Sequence, residues 1–121
     1  MTEERRALII EDDLDSQIIY RYALKEENFK VDAVSSGLSA LKFLKENPVP
    51  DLILLDYSMP GMTGQEFMAK LRENPEWDTI RVILVSGWDD IKSKSIQVGA
   101  DGFIKKPFSK TRLHDELERC Y

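Results

Sequence analysis

Leu52-Ile53-Leu54-Leu55-Asp56-Tyr57-Ser58-Met59-Pro60-Gly61 runs four aliphatic residues into one carboxylate and then into a turn. With Pro50 upstream and Pro60-Gly61 downstream, the stretch is too short for a helix of its own and reads as a buried strand. Asp56 then falls at the carboxyl end of a sheet. In open α/β sheets that edge is where ligands bind, and an acid placed there meets chemistry while its strand stays rigid. Taken alone, an aspartate after an apolar run more often ends a strand or caps a turn than it reacts. The remaining strand ends decide between the two.

Upstream, Ala7-Leu8-Ile9-Ile10 has the same shape and ends in Glu11-Asp12-Asp13. Asp15 or Ser16 can cap a helix whose apolar stripe is Ile18, Ile19, Tyr22 and Ala23, as far as Glu27-Asn28. Phe29 to Val34 is a weaker strand. After the Ser35-Ser36-Gly37 turn, Leu38, Leu41 and Leu44, with Ala40 and Phe43 beside them, repeat at helical spacing until Asn47-Pro48. Downstream of Asp56, Pro60 to Gly64 is a loop, and Phe67, Met68 and Leu71 place a helix from about Gln65 to Glu73. Ile80 to Val85 is a β-branched fourth strand that ends at Ser86-Gly87. Asp89 and Asp90 start a thin helix carrying Ile91, Ile96 and Val98, which should be short or mobile. Gly99 to Gly102 turns the chain into a brief fifth strand, Phe103 to Lys106, ended by Pro107. The last helix follows Ser109, with Leu113 and Leu117 four apart and Cys120 and Tyr121 near its end.

Five β-α units with no hairpin signal build a parallel sheet covered on both faces. The expected fold is doubly wound α/β, flavodoxin-like, with five strands in the order 2-1-3-4-5 and five helices on two faces. In that order Glu11, Asp12, Asp56, Ser86 and Lys106 all come to one edge.

Composition narrows the function. The 121 residues suit one domain spanning 1–121. A net charge of -5 and a pI near 4.9 argue against a general nucleic-acid binder, which needs a concentrated basic surface. Met1 to Arg6 is followed by only four apolar residues before Glu11, neither a secretory signal nor a membrane span, so the expected location is the cytoplasm. Cys120, the single cysteine, can form no internal disulfide and no zinc site.

The clustered strand ends have a chemical sense. Three carboxylates at one edge repel one another unless a cation sits between them. Mg2+ suits that role, because it takes hard oxygen ligands, keeps several waters, and leaves Asp56 free to act as more than a ligand. Asp56 can then attack a phosphoryl group to form an aspartyl-phosphate, provided that positive charge and a donor meet the transferred oxygens. Lys106 supplies the charge and Ser86 the hydroxyl. The backbone carbonyl of Ser58 is placed to complete a metal shell.

These residues carry a resemblance: Glu11-Asp12 after the first strand, Asp56 within L-L-D-Y-S-M-P-G-M-T-G, Ser86-Gly87 after the fourth, and Lys106-Pro107 after the fifth. The chain resembles a response-regulator receiver domain, the phosphoacceptor half of a two-component signalling pair, over essentially its whole length. The resemblance implies that Asp56 is phosphorylated by a histidine kinase or histidine phosphotransfer protein. Asp12 becomes a direct metal ligand and Glu11 an acidic neighbour acting through water. Ser86 becomes the switch hydroxyl, Phe103 the switch aromatic and Lys106 the phosphate-pairing cation. It also implies a cis bond between Lys106 and Pro107, and output through a downstream protein target. Beyond autophosphorylation from a phosphodonor and slow autodephosphorylation, no enzymatic turnover is expected.

Asp12 to Asp56 is 44 residues and Asp56 to Ser86 is 30, as the resemblance requires. Ser86 to Lys106 is 20, about two fewer than it implies, so the fourth helix or its leading loop is shortened. Trp88 either limits water access to the phosphoryl group or simply covers the loop. Phe103 on a short strand is more often a core residue than a switch, and Ser86 in register is what favours the switch. His114, among charged residues on the last helix, reads as a surface residue. Asp13-Leu14-Asp15 imitates the nucleophile pair of haloacid-dehalogenase-type phosphatases, but there the first aspartate directly ends the strand. A flavodoxin-like flavin carrier needs a hydroxyl-rich or glycine-rich phosphate loop where Glu11-Asp12-Asp13 stands. The remaining alternative is a pseudo-receiver, a phosphorylation-independent interaction module, against which the retained acid, hydroxyl and lysine argue.

Overall fold

Aliphatic runs with no polar alternation demand burial on both faces, and the computed structural model, which describes residues 5–58 and 61–120, supplies it. Strands β1 (Arg5–Ile10), β2 (Phe29–Val34), β3 (Leu52–Asp56), β4 (Arg81–Ser86) and β5 (Gly102–Lys105) form one parallel sheet in the order β2-β1-β3-β4-β5. The expected order is therefore observed. Register sets Ile10 beside Leu55, Asp56 beside Val85 and Ser86 beside Lys105, so the polar strand ends share one edge.

Successive strand residues serve opposite layers. Leu8, Ile10, Ile53, Leu55, Val82 and Leu84 pack with helices α2 (Gly37–Glu46), α3 (Gly64–Arg72) and α4 (Ile91–Val98). Ala7, Ile9, Leu52, Leu54, Ile83 and Val85 pack with α1 (Leu14–Glu26) and α5 (Lys110–Cys120). Among the described residues, no helix is long and apolar enough to cross a membrane.

Several local expectations are corrected. The cap of α1 is Asp13, whose carboxylate accepts from the Ser16 backbone N–H at 3.0 Å and its hydroxyl at 2.7 Å, rather than Asp15 or Ser16. The buried face of α1 is Tyr20, Ala23 and Leu24, whereas Ile18, Ile19 and Tyr22 are more than half exposed. Tyr20 marks that phase: its ring meets Phe108 in a tilted pair with centroids 4.6 Å apart, so this side of the helix faces the β5–α5 connection. Leu38 likewise points to solvent at the start of α2. A short 3₁₀ turn, Pro75–Trp77, lies in a segment that shows no periodic signal, and it buries Trp77. Helix α3 starts at Gly64 behind a Thr63–Glu66 capping box. The eight residues of α4 fit the short helix expected there, and its N-cap Asp90 makes no side-chain cap bond. Pro60 in the expected loop and Tyr121 at the end of the last helix lie outside the described residues.

Candidate functional site

Each polar group at the edge is set by the end of an aliphatic strand. Glu11 follows β1, with its N–H bonded to the Val34 carbonyl at 3.0 Å, and its side chain is 1% exposed. Asp56 ends β3 and is also buried; its Oδ1 accepts from the Ser58 N–H at 3.0 Å. Asp12 is exposed beside them. One carboxylate oxygen from each of Glu11, Asp12 and Asp56 lies within 4.8 Å of the others. Lys106, after β5, holds its Nζ 3.6 Å from Glu11 Oε1 and 3.7 Å from Asp56 Oδ2. Those are ion-pair distances, too long for hydrogen bonds. The Lys106–Pro107 bond is cis, as expected.

Ser86 closes the site from β4. It is fully buried, its carbonyl accepts from the Lys106 N–H at 2.8 Å, and its Oγ accepts from the Trp88 N–H at 3.0 Å. The hydroxyl also stands 3.4 Å from Ser58 Oγ.

The electrostatics are those of an under-neutralised acid cluster. Burial, and then the adjacent Asp56, push the Glu11 carboxyl up to about 8, against the pull of Lys106. Neither Glu11 carboxylate oxygen has a hydrogen-bond partner among the described residues. Buried acceptors without partners are rare, and three clustered carboxylates, two of them sharing the Lys106 ammonium, make an all-oxygen donor set. That set fits a small, hard divalent cation.

The site therefore brings together Glu11, Asp12, Asp56, Ser58, Ser86 and Lys106. Residues 7–118 match the response regulator receiver domain family. The chain belongs to that family. This receiver domain is 34% identical over 107 residues to the phosphate regulon transcriptional regulatory protein PhoB of Rhizobium meliloti, covering 87% of this chain and 47% of the relative. It is 32% identical over 111 residues to PhoB of Escherichia coli, covering 90% and 48%. The chain thus spans about half the length of the curated relatives it matches. Among solved structures, the signal receiver domain of a signal transduction histidine kinase from Syntrophus aciditrophicus superposes with a TM-score of 0.84 at 32% identity. That match covers 96% of this chain and 89% of the other. The chemotaxis response regulator CheY4 of Vibrio cholerae shares the fold, with a TM-score of 0.88 at 24% identity over 98% of this chain and all of that one.

Around the receiver site, Trp88 is 46% exposed and sets its ring edge-on to Tyr57, with centroids 5.8 Å apart. Phe103 is partly buried, and its backbone and ring are engaged by Arg112 and Glu116 of α5. His114 is a surface residue, paired with Glu27, the C-cap of α1, at 2.7 Å. Glu116 escaped sequence reading. It is 3% exposed, and although burial opposes its charge, bonds from Arg119, Arg112 and the Phe103 N–H bring it down to about 2. The available signal was Arg112, Glu116 and Arg119 at i, i+4 and i+7 on one helix face. That spacing is indistinguishable from an ordinary solvated charge cluster until the face is known to turn inward.

Proposed function

We propose that this receiver domain is a phosphoacceptor that takes a phosphoryl group on Asp56 and passes the signal on by changing a protein-interaction surface. The supporting observation is the buried Asp56 carboxylate at a strand end, with Lys106 Nζ 3.7 Å away and the Ser86 hydroxyl held nearby through Ser58. An Asp56 oxygen attacks phosphorus on a phosphohistidine of a histidine kinase or phosphotransfer protein. The P–N bond breaks, and its electron pair leaves with the imidazole. Lys106 pairs with the transferred oxygens and Ser86 donates to one of them. Glu11, Asp12, Asp56 and the Ser58 carbonyl would hold Mg2+, whose chemistry there is to neutralise negative charge on the transferred group.

Phosphorylation then shifts a population. The Ser86 hydroxyl gives up the Trp88 N–H and Ser58 for the phosphoryl oxygen, and Phe103 turns into the space left behind. A downstream protein reads the changed face. The protein works in the cytoplasm, and contact with nucleic acid or membrane is no part of this role. The chain turns over no separate substrate; it labels itself and slowly loses the label. Acetyl phosphate with MgCl2 is expected to add about 80 Da to the intact chain, and EDTA to prevent it. An unchanged mass under conditions where the protein is folded would overturn the reading.

A further inference from the structure

Among the described residues β5 is one of the two outermost strands of the sheet, and an outermost strand leaves backbone groups in need of partners. Helix α5 covers that edge with side chains. The Phe103 N–H donates to Glu116 Oε2 at 2.9 Å, and the Phe103 carbonyl accepts from Arg112 Nη2 at 2.9 Å. The guanidinium carbon of Arg112 also lies 5.4 Å from the centre of the Phe103 ring. Arg112 Nη1 in turn donates to Glu116 Oε1 at 2.9 Å, and Arg119 Nη2 donates to Glu116 Oε2 at 2.7 Å. The carboxylate is pressed against the strand: a Cβ built on Gly102 would stand 2.3 Å from Glu116 Oε2. One residue of β5 is therefore gripped at its N–H, its carbonyl and its ring by two side chains of one helix.

We propose that Arg112 is a positioning residue that holds the Phe103 ring in the arrangement of the unphosphorylated protein and sets how readily the ring leaves it, while Glu116 fixes the strand backbone on which the ring turns. This rests on the reading of Asp56 as phosphoacceptor and Phe103 as the residue that moves. The two grips differ in kind. Glu116 holds backbone, which a rotation about the Phe103 side-chain bond does not disturb. Arg112 also holds backbone, through the Phe103 carbonyl, but it meets the ring face as well, and that contact alone is lost once the ring turns away. A cation over an aromatic ring attracts it electrostatically, so the guanidinium biases the equilibrium towards the resting arrangement by about two- to five-fold.

The test uses the full chain with 4-fluorophenylalanine at position 103, observed by 19F NMR with and without beryllofluoride and MgCl2. The wild-type resonance should move on loading. In Arg112→Gln, the unloaded resonance should already lie towards the loaded position, and labelling of Asp56 by acetyl phosphate should be about two- to five-fold faster. Arg119→Gln removes a partner of Glu116 without touching Phe103; it should lower Tm and leave the resonance in place. If Arg112→Gln keeps the wild-type resonance and labelling rate, or if both variants move the resonance alike, the positioning role is overturned. If wild type labels on Asp56 but its Phe103 resonance ignores loading, the positioning role fails while the reading of Asp56 stands. Absence of any label on Asp56 overturns both.

Discussion

Glu11 carries the clearest sign that the acid cluster is incomplete in the chain alone. It is buried, its oxygens lack hydrogen-bond partners among the described residues, and its pKa is pushed from 4.5 up to about 8. An acid whose folded-state pKa is raised makes the folded state bind more protons than the unfolded one. Its favourable contribution is therefore whole below pH 4.5 and is lost as pH rises through about 8. In EDTA, Tm is expected to fall across that window, and Glu11→Gln to remove much of the fall. His114, raised by Glu27, adds a loss of the same sign that both proteins share. Thermal melts against pH check this; equal slopes for wild type and Glu11→Gln would contradict it. Added MgCl2 should raise the Tm of wild type more than that of Glu11→Gln, because a ligand that binds only the folded state stabilises it by mass action.

Helices and junctions carry effects that single residues do not. Gly64, the first residue of α3, lies against the Tyr57 ring so closely that a Cβ would stand 2.3 Å from it. Tyr57 is buried and meets Trp88, so Gly64→Ala must displace that pair. Roughly 1–3 kcal/mol of destabilisation is expected from such overpacking, with a shift in Trp88 emission. Urea unfolding with fluorescence measures both, and a neutral substitution would show that the ring has room to retreat. On α5, the depressed Glu116 contributes stability that is present above its ordinary value of 4.5 and is lost as pH falls through about 2. Glu116→Gln should cost roughly 1–3 kcal/mol at pH 7 and flatten the acid limb, since it leaves two guanidiniums without their shared anion. Unfolding curves at pH 7 and pH 3 with the same difference would contradict that. Such element-level facts were only partly legible. Periodicity placed α1 but mistook its buried face, because Leu14, Ile18, Ile19 and Tyr22 supply an apolar side that stays exposed while Tyr20 and Leu24 face the core. Trp77 was invisible because a 3₁₀ turn of three residues has no period to detect.

The whole molecule explains why the site was more legible than the helix faces. In a parallel sheet ordered 2-1-3-4-5, every strand ends at the same edge, so an aliphatic run followed by a polar residue reports both burial and position. Four such runs place Glu11, Asp56, Ser86 and Lys106, and the structure brings these residues together at that edge. No comparable punctuation marks the inward turn of Glu116, which depends on how α5 lies across the outermost strand. On the proposed function, the same layout lets one rigid edge bind, neutralise and accept, with β5 carrying the consequence to α5. On that proposed function, Asp56 accepts the phosphoryl group. Intact-mass and peptide-mapping spectra after acetyl phosphate and MgCl2 should show about 80 Da added to wild type on the peptide containing Asp56, and none on Asp56→Asn. Equal labelling of the two proteins would contradict it.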